Sequence, residues 1–223
     1  MKKTLLPLLL VLLFTTLACS LFSAGAPAGD APAANSNILF QDDFSNANSG
    51  WDQADWDSGL TDYGDGVYRM AVKVPSYDIW ANPGKSFDGN VRVEADATKV
   101  GGEDDNDYGL ICRYSGAPES PNYYFGIISS DGYAVVGKVV AGSMEYLSSE
   151  QMQPSDAVKQ GSATNRLRVD CVGSNITLYV NGQQVTTATD SSYTGGDVGF
   201  LAGTFEIPST EIHFDNLLVS KPR

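Results

Sequence analysis

His213 is the only histidine in this chain of 223 residues, and its isolation limits the chemistry that the protein can perform. A Ser-His-Asp nucleophilic site would depend entirely on this residue, yet the sequence contains no Gly-x-Ser-x-Gly elbow that would present a serine to it. A transition-metal site built from several imidazoles is excluded by the same count. We therefore interpret His213, which lies in the segment EIHFDNLLV, as a residue on the surface of a strand.

Aromatic side chains and one arginine are the residues best suited to contact a sugar. Aromatic faces cover the apolar side of a sugar ring, and a few polar groups bind its hydroxyls. Trp56 and Trp80 lie among Asp, Ser, Asn, Pro and Gly, so we expect them to be exposed. Arg113 alternates with Cys112 and should point away from the packed face. We predict a shallow groove that holds Arg113 and Tyr124, with Trp56 and Trp80 as further ligand-binding residues; an ordinary tyrosine-rich sheet is the alternative.

The three cysteines divide into one and two. Cys19 belongs to the N-terminal segment, which leaves Cys112 and Cys171 as a pair. An even number suits one disulfide in an exported protein, and a bridge closing a loop of about 60 residues would contribute roughly 4 kcal/mol. Two buried, reduced thiols are the alternative.

Short β-rich runs, and almost no helical periodicity, characterise the elements that must position these residues. The pattern predicts strands over 67–74, 91–98, 108–114, 123–128, 133–140, 165–172, 176–180, 183–188, 198–202 and 211–219. Asn181-Gly182 lies between two of these runs and predicts a type I′ hairpin, because both residues accept positive φ angles. Asp131-Gly132 predicts a second hairpin. Ten short strands joined by tight turns indicate an all-β, antiparallel sandwich.

Several segments of the sequence resemble those of a known superfamily. NRLRVDCVGSNITLYVNGQQV, GGDVGFLAGT and EIHFDNLLVSK are similar to the second half of a concanavalin A-like jelly roll. QDDFSNANSGW and DYGLICRYSG…NYYFGIISSDGYAVVGKV are similar to its first half. The superfamily includes lectins, glucanases, laminin-G-like modules and 3-keto-disaccharide hydrolase-like domains. The resemblance therefore implies a jelly roll over about 37–221, and it leaves the activity open because this fold carries several functions.

The resemblance also directs attention to paired carboxylates. Laminarinase-type glucanases of this superfamily carry Glu-x-Asp-x-x-Glu on one strand, and two of its acids flank the scissile bond. The nearest match here is EADATK at 94–99, in which Lys99 stands where the third acid would be. We expect Glu94 and Asp96 to be surface residues of a strand, and we expect no glucanase of this type. An acid pair formed across loops is the alternative that leaves a glycoside hydrolase open.

Calcium is the cofactor that the acidic residues favour, since it takes hard oxygen ligands in flexible geometry. The superfamily often holds a structural calcium ion where its terminal strands meet, and Asp43 and Asp215 are the positions that would carry over. A second candidate is the run EDDND at 103–107. This run lacks the spacing of an EF-hand loop, so a solvated loop is its default interpretation.

The first nineteen residues, MKKTLLPLLLVLLFTTLAC, have the pattern of an export signal. Leu17-Ala18-Cys19-Ser20 resembles a bacterial lipobox, which implies that Cys19 is lipidated and anchors the protein on the outer face of a membrane in the cell envelope. We predict a signal peptide at 1–18, a low-complexity tether at 19–36 and one β-sandwich domain at 37–223. Cleavage at Ala24-Gly25-Ala26, which would give a soluble secreted protein, and an uncleaved anchor are the alternatives.

The charge of the chain limits its partners. A formal net charge of −13 argues against nucleic acid and against anionic headgroups bound through a basic patch. We expect a non-catalytic, surface-displayed module that binds a glycan or polysaccharide. A sugar-cleaving hydrolase and an adhesion module for a protein partner are the two alternatives.

Overall fold

The computed structural model describes residues 37–222, which form seventeen β-strands and no helix. The first nine strands are β1 (Ile38–Asp42), β2 (Ala54–Trp56), β3 (Gly59–Gly64), β4 (Val67–Val72), β5 (Tyr77–Ala81), β6 (Phe87–Asp88), β7 (Val91–Gly102), β8 (Asp107–Ala117) and β9 (Ser120–Ser129). The others are β10 (Tyr133–Val140), β11 (Ser143–Tyr146), β12 (Gln153–Pro154), β13 (Thr164–Val172), β14 (Asn175–Val180), β15 (Gln183–Thr189), β16 (Gly195–Thr204) and β17 (Thr210–Ser220). Within this part of the chain, no helix is available to span a membrane. The predicted signal peptide, Cys19 and the tether lie outside the described residues.

The strands form two antiparallel sheets. The nine-stranded sheet has the order β15-β14-β13-β7-β17-β4-β3-β2, with β1 paired to β17. The eight-stranded sheet has the order β11-β10-β9-β8-β16-β5, with β12 beside β10 and β6 beside β16. Neighbours in space that are far apart in sequence, such as β7 and β17, tie the two halves of the chain together. The predicted all-β antiparallel sandwich is confirmed.

All ten predicted strands are present, and most extend by one to four residues beyond the predicted ends. Asn181 and Gly182 form the predicted two-residue turn between β14 and β15, with φ angles of 52° and 83°. The turn at Asp131-Gly132 also joins two paired strands, β9 and β10. The seven additional strands are short, and four of them lie before residue 82.

Alternation of side chains explains how the sandwich interior forms. Along β7, Val91, Val93, Ala95 and Ala97 are buried while the residues between them are partly exposed. This period of two is the one that a strand needs to bury a single face. Phe200 of one sheet stacks on Phe214 of the other with ring centroids 4.1 Å apart.

A second apolar layer covers the opposite, outer face of the eight-stranded sheet. Its buried members come from β8, β9, β10 and β16: Ile111, Tyr123, Phe125, Ile127, Val135, Val139 and Leu201. Met144, Tyr146 and Met152, which follow β10 in the chain, pack against this layer together with Trp80 and Tyr114. The outer face is therefore apolar and partly covered, and this arrangement leaves a groove.

Candidate functional site

The groove on the outer face of the eight-stranded sheet consists of three adjoining pockets with volumes of about 290, 450 and 360 Å³. Met144 lines the first and second pockets, and Tyr146 lines the second and third. We call this surface the outer groove. Its further lining includes Tyr77, Asp78, Trp80, Glu119, Tyr123 and Val139 in the first pocket, Glu150 in the second, and Asp105, Ser129, Asp131, Tyr133 and Met152 in the third.

Strand β5 places two functional side chains at the first pocket. Ile79 and Ala81 are buried in the sandwich interior, so the alternate residues Asp78 and Trp80 point to the outer face. Trp80 is opposite Leu201 in β16 and packs on the outer apolar layer while remaining partly exposed. The amphipathic strand thus presents an indole face and a carboxyl group side by side.

Two carboxyl groups meet at the floor beside this pocket. Asp78 is opposite Gly203 in β16, and Asp107 begins the neighbouring strand β8. A Cβ atom built on Gly203 would lie 2.2 Å from Asp78 Oδ1 and 2.6 Å from Asp107 Oδ1. Both oxygens therefore occupy the space above Gly203 that a side chain would fill, and any residue other than glycine would displace them.

The Asp78–Asp107 pair has no compensating positive charge. Neither carboxyl group forms a salt bridge with another described residue. Asp107 is 3 % exposed, and its Oδ1 atom is buried without a hydrogen-bond partner. Burial raises the pKa of both groups, and the charge of Asp78 raises the pKa of Asp107 further. The pair therefore retains a proton well above the ordinary range for aspartate.

Two phenol groups share this environment. Burial, together with the nearby charges of Asp107 and Asp78, raises the pKa of Tyr146 to about 12. Burial and the same two acids raise the pKa of Tyr123 as well. Both hydroxyls thus remain protonated at neutral pH and can donate hydrogen bonds to a ligand.

The lining of the outer groove carries charge of one sign. Five of its residues are acids: Asp78, Asp105, Glu119, Asp131 and Glu150. Among residues 37–222, none that lines the three pockets is Lys, Arg or His. The arrangement can accept hydrogen bonds, stack on an apolar ring face and attract a cation, and it repels anions.

Of the two predicted tryptophans, the structure places one in the groove. Trp80 lies there as described. Trp56 is the last residue of β2 in the other sheet, where it is half-buried against the main core and close to Gly59. The predicted pairing of the two indoles at one site is absent.

Arg113 does not point outward, and the prediction of an open groove around it is wrong. A β-bulge interrupts β8 between Cys112 and Ser115, and Arg113 adopts a positive φ of 56° there. The bulge breaks the alternation on which the prediction depended. The side chain enters the interior, is 2 % exposed, and its Nη1 donates to the carbonyl oxygens of Gly173 and Tyr193 at 2.9 Å each.

Tyr124 is likewise interior. Its ring belongs to the main core, and its hydroxyl donates to Asp190 and accepts from the backbone N–H of Tyr193. Lys138 also donates to Asp190, at 2.8 Å. Burial alone would raise the pKa of Asp190, but the hydrogen bonds from Lys138, Ser192 and Tyr124 outweigh it and hold that pKa well below its usual range. Tyr124 is thus a structural residue.

Cys112 and Cys171 form a disulfide that joins the two sheets, with Cα atoms 6.8 Å apart. This bridge and Arg113 stand side by side, because Arg113 Nη2 donates to the carbonyl oxygen of Cys171 at 3.3 Å. The interior around the bulge is therefore fixed by covalent and polar contacts together.

The residues of the glucanase-like segment hold structural positions. Asp96 accepts a hydrogen bond from Asn216 at 2.9 Å and lies 3.5 Å from the Arg166 guanidinium. Lys99 is buried, and its ammonium contacts Asp104 and the carbonyl oxygen of Gly102. His213, which lies in β17 and not in this segment, is half-buried and hydrogen-bonded to Glu211 at 2.9 Å.

The predicted calcium ligands lie near a separate pocket of about 560 Å³ at the β1–β17 junction. Asp43 and Asn216 line this pocket together with Arg166, whose Nη1 donates to the carbonyl oxygen of Asn216 at 2.8 Å. Asp43 Oδ1 accepts hydrogen bonds from Ser45, and Asp215 Oδ1 accepts one from the Asn216 backbone. Within residues 37–222, no three acidic, His or Cys side chains converge as a metal site. The calcium site at Asp43 and Asp215 stays a prediction.

Thermal melts test that prediction. A structural calcium ion would raise the melting temperature, because a ligand that binds only the folded state stabilises it by mass action. We expect a lower midpoint in excess EDTA than in about 1 mM calcium, a concentration roughly a thousandfold above a micromolar dissociation constant. The variant Asp43→Asn should abolish this difference. Equal midpoints for the unmodified chain would remove calcium from consideration.

Asp78 and Asp107 are candidate functional residues that were not predicted from the sequence. The alternation in YDIWA, with Ile79 and Ala81 inside, was a usable signal for a half-buried strand that would display Asp78 and Trp80 together. Asp107 ends the acidic run at 103–107, whose default interpretation was a solvated loop. No local pattern links Asp107 to Asp78, because β16 lies between their strands.

The two packed antiparallel sheets and their strand order are those of a jelly-roll β-sandwich. Comparison with solved structures agrees with this class. The chain is similar to the carbohydrate binding module CBM66 from Bacillus subtilis, with a TM-score of 0.61 and 15% identity over 78% of this chain and 96% of that one. It is also similar to a Bacillus licheniformis beta-glucanase, with a TM-score of 0.59 and 14% identity over 85% of this chain and 100% of that one.

A third similar structure is a Bacillus subtilis protein of unknown function with a galectin-like fold, with a TM-score of 0.63 and 11% identity over 84% of this chain and 98% of that one. No family model matches the sequence, and no curated protein matches it. At these identities the likeness establishes the fold.

Proposed function

We propose that this protein binds a glycan in the outer groove. The observation that carries the proposal is the partly exposed Trp80 beside Asp78, Glu119 and the protonated phenol of Tyr123 in one pocket of about 290 Å³. An aromatic face with a few polar groups is the arrangement that sugar rings require. The similar structures include a carbohydrate binding module and a beta-glucanase, which supports the same class of ligand.

The Trp80→Ala variant tests the proposal. Removing the indole removes the surface on which a sugar ring would stack, so we expect affinity to fall by roughly tenfold or more. A glycan array with the chain from Asn37 onward identifies the ligand, and titration calorimetry with that ligand measures the loss.

The matched control is Trp56→Ala, which removes the same side chain from the other sheet. Melting curves of both variants separate lost binding from lost folding. Failure of the unmodified protein to retain any glycan, or equal losses in the two variants, would contradict binding in the outer groove.

Sugar cleavage is the second candidate function, and the Asp78–Asp107 pair is the observation that favours it. A retaining glycosidase uses two carboxyl groups about 5 Å apart, one protonated and one ionised, on either side of the scissile bond. Asp107 Oδ1 is enclosed by protein, so this carboxyl group lacks a free path to a substrate. We therefore propose glycan binding ahead of sugar cleavage. Release of reducing ends from the bound glycan, abolished by Asp78→Asn, would reverse that order.

Display on the cell surface is the location that we propose for this binding. Lipidation at Cys19 would anchor the protein, and the tether at 19–36 would separate the domain from the membrane. We expect radioactive fatty acid to label the unmodified chain and not the Cys19→Ala variant. Equal labelling of the two would contradict Cys19 as the lipidated residue, and no label on either would favour the soluble secreted form or the uncleaved anchor.

A further inference from the structure

We propose that the outer groove selects glycans that carry a free amino group, and that the ammonium of such a sugar binds at Asp78 with Asp107 beneath it. The inference rests on the proposed function and names the chemical class of its ligand. A de-N-acetylated hexosamine is the simplest sugar of this class.

Among the described residues, no basic side chain forms a salt bridge with either member of the Asp78–Asp107 pair. The two Oδ1 atoms share the space above Gly203, and Asp107 Oδ1 is buried with no partner. A buried carboxylate without a compensating charge destabilises the protein. A positively charged ligand at this position would therefore bind favourably, because it supplies the missing charge. Asp78 lines the first pocket, and this makes it the member of the pair that a ligand touches.

Aromatic groups next to the pair suit an organic cation better than a metal ion. Trp80, Tyr77 and Tyr123 line the same pocket as Asp78, and Tyr77 is 44% exposed. Ammonium groups bind favourably between carboxylates and aromatic faces. Calcium would take six to eight oxygen ligands, whereas the described residues contain no cluster of three acidic side chains arranged for a metal.

The negative charge of the outer groove as a whole also favours a cationic ligand. Glu119 lines the first pocket with Asp78, Glu150 lines the second, and Asp105 and Asp131 line the third. In the described part of the chain, no basic side chain lines any of the three. Glycans with uronate, sulfate or sialate groups would meet like charges, and neutral glycans would leave the Asp78–Asp107 pair uncompensated.

Titration calorimetry with two matched oligosaccharides tests the inference on the full chain in detergent. One probe is a β-1,4-linked glucosamine hexamer, and the other is the same hexamer fully N-acetylated. We expect the amine form to bind about tenfold more tightly, since a charged hydrogen bond is lost on acetylation. We expect Asp78→Asn to remove this preference, and Glu119→Gln to reduce it by a smaller factor.

The control variant is Asp57→Asn, which makes the same change in net charge at an exposed turn of the other sheet. It should leave the preference unchanged, and this result would exclude a general attraction between an acidic protein and a polyamine. Melting curves of all three variants show that the fold is retained.

These results distinguish failure of the amine preference from failure of glycan binding in the outer groove. Equal or weaker binding of the amine form, no binding of either hexamer, or equal losses in Asp78→Asn and Asp57→Asn would overturn the amine inference. If the array then shows another glycan whose binding depends on Trp80, the proposed function stands without it. If Trp80→Ala has no effect on any bound glycan, the proposed function fails as well.

Discussion

Replacing Arg113 with methionine is expected to lower the free energy of unfolding by about 3 to 5 kcal/mol. The guanidinium donates to four carbonyl oxygens, at 2.9 Å to those of Gly173 and Tyr193, at 3.3 Å to that of Cys171 and at 3.5 Å to that of Gly89. These acceptors belong to segments that are distant in sequence, so one side chain joins several loops at this end of the sandwich. Methionine fills a similar volume and donates nothing, so all four carbonyl groups would lose this donor, including the buried one of Cys171.

Denaturant unfolding measures the effect. The matched control is Arg69→Met, because Arg69 pairs with Glu211 at 2.9 Å while 36% of its side chain is exposed. A surface ion pair of this kind contributes at most about 1 kcal/mol. A loss for Arg113→Met no larger than that for Arg69→Met would show that the interior hydrogen bonds are not essential to the fold.

The position of Arg113 also shows why sequence periodicity located the strand but misplaced its side chain. The apolar pattern of β8 predicts a strand correctly, and Cys112 points inward as expected. The bulge after Cys112 inserts a residue in the left-handed region, and from there the alternation shifts. No residue at this site belongs to the types that mark such a bulge, since Arg113 itself adopts the positive φ. The reversal is a property of tertiary packing.

The fold class was predictable because its signals are local. Alternating apolar residues locate the long strands, and Asn181-Gly182 fixes one hairpin by its backbone preferences. The short strands before residue 82 escaped prediction because Pro, Asp, Asn and Gly surround them. One of these is β5, so the omission removed Asp78 and Trp80 from the predicted sheet.

The candidate site was largely beyond prediction for a different reason. Its carboxyl groups come from β5 and β8, and they meet only because β16 lies between these strands with a glycine at the level of the pair. Strand order is a long-range property that one sequence does not contain in its local patterns. Trp80 could be predicted to be accessible because its flanking residues indicate exposure, and this prediction does not require knowledge of strand order.

Asp107→Asn should make the protein more stable at alkaline pH, since the buried pair is unfavourable when both groups are ionised. Burial and the charge of Asp78 raise the pKa of Asp107 above its ordinary value of 3.8, so the folded state holds this proton more tightly than the unfolded state does. The stability of the unmodified chain therefore falls as pH rises from the ordinary range of aspartate through the raised pKa. Asparagine does not ionise, and its amide can donate to Asp78.

We expect Asp107→Asn to raise the melting temperature by about 5 to 10 °C at pH 8, which corresponds to roughly 2 to 3 kcal/mol for a buried, unpaired charge. At pH 5, which is closer to the ordinary pKa of aspartate, the difference should be clearly smaller. Melting curves of both proteins at several pH values between pH 5 and pH 8 measure this convergence, because a raised carboxyl pKa acts over about that interval. Asp57→Asn is the control for a lost surface charge. Parallel melting curves across this range would contradict the raised pKa of Asp107 and the cost of holding a second negative charge beside Asp78.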